Sequence, residues 1–220
     1  MEDDFIWVLA SNSPRRKELL SQIMDFIVIS TEIDETITEE LPPEKIVEEL
    51  ALRKAKFTYD HLLKLKEIVQ SGKTPDEKTL VEAKDIAAGN PFGVIGADTV
   101  VALNGRIFGK PKDRDDAFRI LTELSGKTHS VFTGVAVLKS DSVKVFYSET
   151  KVTFDELSEE EIRDYIDSGE PMDKAGAYGI QGIGGTFVTG IEGDYTNVVG
   201  FPMGEFCHLV RTGEIRPGEK

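Results

Sequence analysis

Residues 94–103 read VIGADTVVAL, an almost unbroken apolar run with one acid near its middle. A run of this kind suits a strand buried on both faces at the centre of a sheet. Asp98 is what makes it restrictive. Aspartate is depleted in strands, and a lone carboxylate among Val94, Ile95, Val100 and Val101 is costly when charged and unpaired. Two readings stand side by side. The acid is structural and satisfied by backbone amides, or it is a metal ligand or general base on the wall of a cleft.

The flanking segments supply the rest of a mixed fold. FIWVLA (5–10) and FIVIS (26–30) predict short strands. Between them, 14–24 predicts an amphipathic helix with Leu19, Leu20 and Ile23 on one face. Two prolines then open a long helix over 43–70, with Ile46, Val47, Leu50, Ala51, Leu62, Leu63, Leu65 and Ile68 as its apolar positions. Residues 71–92 are polar and turn-rich and read as an insertion or mobile segment. Asn104-Gly105 is a hairpin signal, with Ile107-Phe108 as a short return strand. A helix follows over 113–124, then two long β-runs at hairpin spacing, SVFTGVAVL and VKVFYSETKVTF. Ser158 with Glu161 forms a capping box that starts another helix. GFPMGEFCHLV predicts a closing helix with Cys207 in its core. Long hairpins interrupt any strict βαβ alternation, so the fold class is α/β or α+β with a mixed sheet. The length of 220 residues fits one domain, with room for two lobes.

Charge narrows the function. A net charge of −14 repels a phosphate backbone, which argues against DNA or RNA as a partner. No apolar stretch approaches the roughly 18 residues of a membrane span, and MEDDFIWV does not read as a signal peptide. One cysteine excludes an intrachain disulfide and suggests a reducing compartment. A small anion is a different matter, because it needs only local basic groups and amide donors.

SNSPRRKELL (11–20) offers such a locus. Ser13 can cap the helix and Pro14 can be its first residue. Arg15 and Arg16 then lie at the positive end of the helix dipole, where cations are disfavoured. Either they bend into water or they meet an anion there. Ser11 and Ser13 hydroxyls, backbone N–H groups and two guanidiniums together suit a polyphosphate. Lys54, in LALRKAK, and Lys110, in the GKP turn, each read alone as surface residues, but with the arginines they could neutralise a triphosphate. The acidic loop Glu32-Ile33-Asp34-Glu35 reads alone as a solvated charge run. It gains meaning if Asp98 needs a second carboxylate to share a divalent cation. Glycines crowd EPMDKAGAYGIQGIGG (170–185), where backbone can approach a ligand closely. There Gln181 carries both donors and an acceptor, suited to a base edge or a sugar; the bland reading is a glycine-rich connector. HExxH, CxxC, GxSxG and P-loop patterns are absent from the sequence.

These pieces, in this order, resemble the Maf family of nucleoside triphosphate pyrophosphatases. The stretches that carry the resemblance are LASNSPRRKELL, IDE, LALRKAK, VIGADTVV, GKP, LSGKTHSVFTGVAV, GEPMDKAGAYGIQGIGG and GDYTNVVGFP. They span Phe5 to about Val210. The resemblance implies an elongated mixed sheet with flanking helices and two lobes around a deep cleft, related to the inosine-triphosphate pyrophosphatases. It implies a cytoplasmic homodimer that uses Mg²⁺ or Mn²⁺ and splits a nucleoside triphosphate into monophosphate and pyrophosphate. GIQG with KTHSVFTGV is similar to the branch preferring dTTP and UTP. Carried over position by position, Asp98 is the proton acceptor, and Arg15, Thr99 and Gln181 set substrate choice. Arg16, Lys54 and Lys110 bind phosphates, and Glu35 holds the metal with Asp98. A rival from another class is a non-catalytic nucleotide-binding regulator of cell division.

Overall fold

In the computed structural model, which describes residues 5–29, 33–37, 40–72 and 83–216, the apolar run is the core of strand β3 (Phe92–Leu103). Val94, Ile95 and Ala97 are fully buried, as a strand covered on both faces requires. Around it lie β1 (Ile6–Leu9), β2 (Ile27–Val28), β4 (Arg106–Phe108), β5 (Thr128–Leu138), β6 (Val143–Phe154) and β7 (Val188–Glu192). They form one seven-stranded sheet in the order β2-β1-β3-β5-β6-β7, with β4 added beside β3. β1 is parallel to both β2 and β3, and the remaining pairs are antiparallel. The sheet is therefore mixed, as expected.

One edge of β3 is shared by two short strands. β1 pairs with residues 92–95 and β4 with 101–103, while β5 runs along the other edge from 94 to 102. The last bond on the β1 side goes from Ala10 N–H to Ile95 O at 2.8 Å. Among the described residues, no strand pairs with 96–100 on that side. The sheet has a notch there, and Asp98 lies at its middle.

Helices cover both faces: α1 (Pro14–Ser21), α2 (Pro43–Gln70), α3 (Lys84–Ala87), α4 (Arg114–Leu124), α5 (Glu159–Asp167), α6 (Tyr195–Val199) and α7 (Met203–Arg211). α2 buries a single stripe of Val47, Leu50, Ala51, Ala55, Thr58, Leu62 and Leu65, spaced three or four residues apart as a helix on a sheet demands. It lies unusually close to the sheet because two facing strand positions are glycine. A Cβ on Gly96 would sit 2.3 Å from Ala51 O, and one on Gly134 would sit 2.3 Å from Val47 O. Gly134 is the β5 partner of Asp98. Even-numbered residues of β3 thus face α2. Odd-numbered Ile95 and Ala97 pack on the other side with Leu19, Leu20, Phe201 and Phe206.

Some expected positions differ. α1 ends at Ser21, because Gln22 and Ile23 N–H groups turn back to Leu19 and Leu20 carbonyls in tighter, i−3 bonds. Ile23 is consequently exposed rather than facing in. Leu63 and Ile68 fall off the α2 stripe and are exposed. Cys207 is half-buried, and Phe206 and Leu209 form the core of its helix. Of the segment 71–92, residues 73–82 lie outside the described residues. Beyond them, Ala83, Ile86, Ala87 and Phe92 pack with Ala55, Leu62 and Leu65 of α2.

Candidate functional site

Asp98 projects toward α2, and Lys54 of α2 meets it. Lys54 Nζ is 2.5 Å from Asp98 Oδ1 and 2.8 Å from Glu35 Oε1. One ammonium therefore bridges two carboxylates that are far apart in sequence. The carboxylate-rich loop that reads as a solvated charge run sends Glu35, itself still exposed, to the Lys54 ammonium at the cleft; Glu32 lies outside the described residues. Burial would raise the pKa of Glu35, but the Lys54 hydrogen bond and charge, with Lys110 and Arg16 further off, hold it below the usual range.

The residue after Asp98 points to the opposite face. Thr99 Oγ1 accepts from Arg16 Nη2 at 2.9 Å and lies 3.0 Å from Thr133 Oγ1. Thr133 donates to Asn197 O at 2.9 Å, so Thr99 is left to donate to Thr133 and accept from Arg16. Arg16 Nε also donates to Gly200 O at 2.9 Å, and Nη1 to Ser11 Oγ at 3.4 Å. The helix start that holds Arg16 is built as its sequence predicts. Ser13 caps α1 by accepting from Arg16 N, with Pro14 at the first position. Arg16 does not run out into water. It folds back over the notch, where burial lowers its pKa, with Asp98 opposing that, Arg15 adding to it and Glu35 opposing it. Arg15 reaches across to Asp173 Oδ2 at 3.4 Å.

A cleft of about 1060 Å³ opens at the notch. Ser11, Ser13, Arg15, Arg16, Glu35, Lys54, Asp98, Thr99, Lys110 and Gln181 all line it. The structure therefore gathers these ten residues, scattered in the sequence, into one cavity. The volume is that of a small-molecule site, and the lining sets cationic side chains among the carboxylates of Glu35, Asp98, Glu170 and Asp173.

The model of the family described as Maf-like protein matches residues 7–213. The chain belongs to the Maf family. A dTTP/UTP pyrophosphatase of Agathobacter rectalis is 47% identical over 210 residues, covering 93% of this chain and 95% of the relative. One from Geobacillus sp. (strain WCH70) is 47% identical over 206 residues, covering 93% and 96%. A human protein named probable bifunctional dTTP/UTP pyrophosphatase/methyltransferase is 45% identical over 208 residues, covering 91% of this chain and 31% of that longer protein. Within this Maf fold, the sequence reading passed over Thr133 and Asn197. Both are fully buried polar residues, and Thr133 interrupts the apolar run SVFTGVAVL much as Asp98 interrupts its own.

Proposed function

We propose that this chain is a nucleoside triphosphate pyrophosphatase that hydrolyses dTTP and UTP to the monophosphate and pyrophosphate. The observation that carries the proposal is the Lys54 ammonium held between Glu35 and Asp98, with Arg16 on the other face of the same strand at Thr99. Acid groups and phosphate-binding cations meet within one cleft. The names of the relatives from Agathobacter rectalis and Geobacillus supply the substrate class. Gln181 on the cleft wall fits that class chemically. Its amide can accept from the N3–H of uracil or thymine while donating to an adjacent carbonyl.

A divalent cation suits the donors present. Oxygens of Glu35 and Asp98 converge on one point, now taken by the Lys54 nitrogen, and hard carboxylate oxygens favour Mg²⁺ or Mn²⁺. Among the described residues there is no cluster of three or more His, Cys, Asp or Glu that could cage a metal alone. Phosphate oxygens and water would complete the shell. Bound there, the cation would neutralise developing negative charge on the phosphates. Arg15, Arg16 and Lys110 hold the triphosphate in line, Asp98 accepts the proton of the water attacking the α-phosphorus, and pyrophosphate leaves. Positioning and charge neutralisation dominate such chemistry. We propose in addition a cytoplasmic homodimer, as the family resemblance implies; the single unpaired cysteine fits a reducing compartment.

Incubation with a panel of triphosphates plus Mg²⁺ or Mn²⁺ tests the activity. Pyrophosphate release, greatest with dTTP and UTP, is expected; orthophosphate release, or none, removes the reading. Asp98→Asn should lose about 10³-fold or more of turnover while binding a non-hydrolysable triphosphate within a few-fold of the parent, the loss expected for a proton acceptor. Near-normal turnover would take that role from Asp98.

A further inference from the structure

Beside Gln181 on the cleft wall stands a carboxylate that the proposed reaction does not use. Glu170 opens a 3-10 turn (Glu170–Asp173). Its Oε1 accepts from the Tyr165 hydroxyl at 2.9 Å and from Gly184 N–H at 3.1 Å, and its Oε2 accepts from Ile183 N–H at 2.9 Å. The Tyr165 oxygen in turn accepts from Gly179 N–H at 3.0 Å. Both ends of the segment 179–184 therefore hang on one acid–phenol pair. Ile180, Gln181 and Gly182 form the arch between them, pinned by Gly182 N–H to Gly179 O at 3.2 Å.

The glycines make this close approach possible. A Cβ on Gly182 would lie 2.3 Å from Glu170 Oε2, and one on Gly184 would lie 2.6 Å from the Tyr165 oxygen. Burial alone would raise the pKa of Glu170, but the N–H donors of Ile183 and Gly184 and the Tyr165 hydroxyl hold it below the usual range. Burial raises that of Tyr165. At neutral pH the acid is an ionised acceptor and the phenol a neutral donor, which is the pairing the arch needs. A glycine-rich segment without such anchors samples many backbone states, and ordering it would cost part of the binding energy of the base.

We infer that Glu170 and Tyr165 are positioning residues that set base selectivity by holding the Gln181 arch in one conformation. The inference rests on the reading of Gln181 as the residue that meets the base.

Steady-state kinetics on dTTP, dATP and a base-less ribose triphosphate test it. Glu170→Gln turns an amide N–H toward a backbone N–H that now meets a carboxylate. Its preference for dTTP over dATP should fall about tenfold or more, chiefly through KM for dTTP, while the base-less triphosphate changes less than about twofold. Tyr165→Phe should shift the preference in the same direction, and it carries the test if Glu170→Gln fails to fold. In a Gln181→Ala background, Glu170→Gln should alter the preference by less than about twofold, because the arch then has nothing to position. An unchanged preference in Glu170→Gln overturns the inference. So does an equal loss on the base-less triphosphate, or a full loss that persists in the Gln181→Ala background. If Gln181→Ala alone keeps the dTTP preference, the reading of Gln181 fails first, and that result is separable from the others.

Discussion

His129 shows how much a single side chain can couple this protein to pH. The ring is buried on β5, with Nε2 2.9 Å from the Tyr178 hydroxyl and Nδ1 without a hydrogen-bond partner among the described residues. Phe154 and Tyr178 pack edge-on against it. Burial pushes its pKa down from 6.5 to about 4. Between those values the unfolded chain takes up the proton and the folded chain does not, so stability rises with pH across the window and is lost on acidification. The shift corresponds to roughly 3 kcal/mol lost between neutral pH and pH 4. Urea midpoints from pH 7 to pH 4 should show this fall, and His129→Phe should flatten the slope whatever its effect at pH 7. An unaltered slope in that variant would place the acid sensitivity elsewhere.

Among the elements, α2 against β3 and β5 matters most to the chemistry. Gly96 and Gly134 let the helix backbone rest on the sheet, which brings Lys54 within reach of Asp98. Gly134→Ala must push α2 outward, since its Cβ would meet Val47 backbone atoms. Overpacking of this kind costs about 1–3 kcal/mol, or roughly 3–10 °C in Tm for a chain of this size. Calorimetry should show that loss, and pyrophosphate release should fall about tenfold or more as the Lys54–Asp98 contact opens. A stable variant with full turnover would mean that the contact is dispensable. This junction also marks how far the sequence could be read. Asp98 is conspicuous because an acid is out of place in an apolar strand. Thr133 is equally buried but gives no such signal, because threonine is at home in strands. Asn197 lies in a glycine-flanked stretch where asparagine is ordinary. The notch in β3 is invisible for another reason. It arises from where two short strands happen to stop, and hydrophobic period does not encode pairing partners.

In the whole molecule, the buried apolar residues fall into four clusters around the sheet. Val101, Phe108, Val131 and Val152 belong to one, with α4 and α5. Val94, Ala97, Val135 and Ala136 belong to two others. Strands β3 and β5 contribute to all four without a break, so no cluster can melt without stripping partners from the others. One cooperative transition is expected despite the divided core. The single tryptophan, Trp7, reports only the β1 side. Its emission and the far-UV circular dichroism should share a urea midpoint within about 0.2 M; an earlier tryptophan transition would show that the clusters unfold separately. The class of fold was readable from the long runs and hairpin spacing, whereas the division of the core depends on which strands thread the clusters.

Asp98 and Thr99 are successive residues on opposite faces of β3. The carboxylate that meets Lys54 and the hydroxyl that anchors Arg16 are thus carried by residues joined by a single peptide bond, a linkage of fixed length. A change in the width of the cavity mouth leaves that linkage intact. The carboxylate facing Lys54 and the hydroxyl facing Arg16 keep their spacing along the chain, so the opening of the cleft and the spacing of these two groups can be tuned separately.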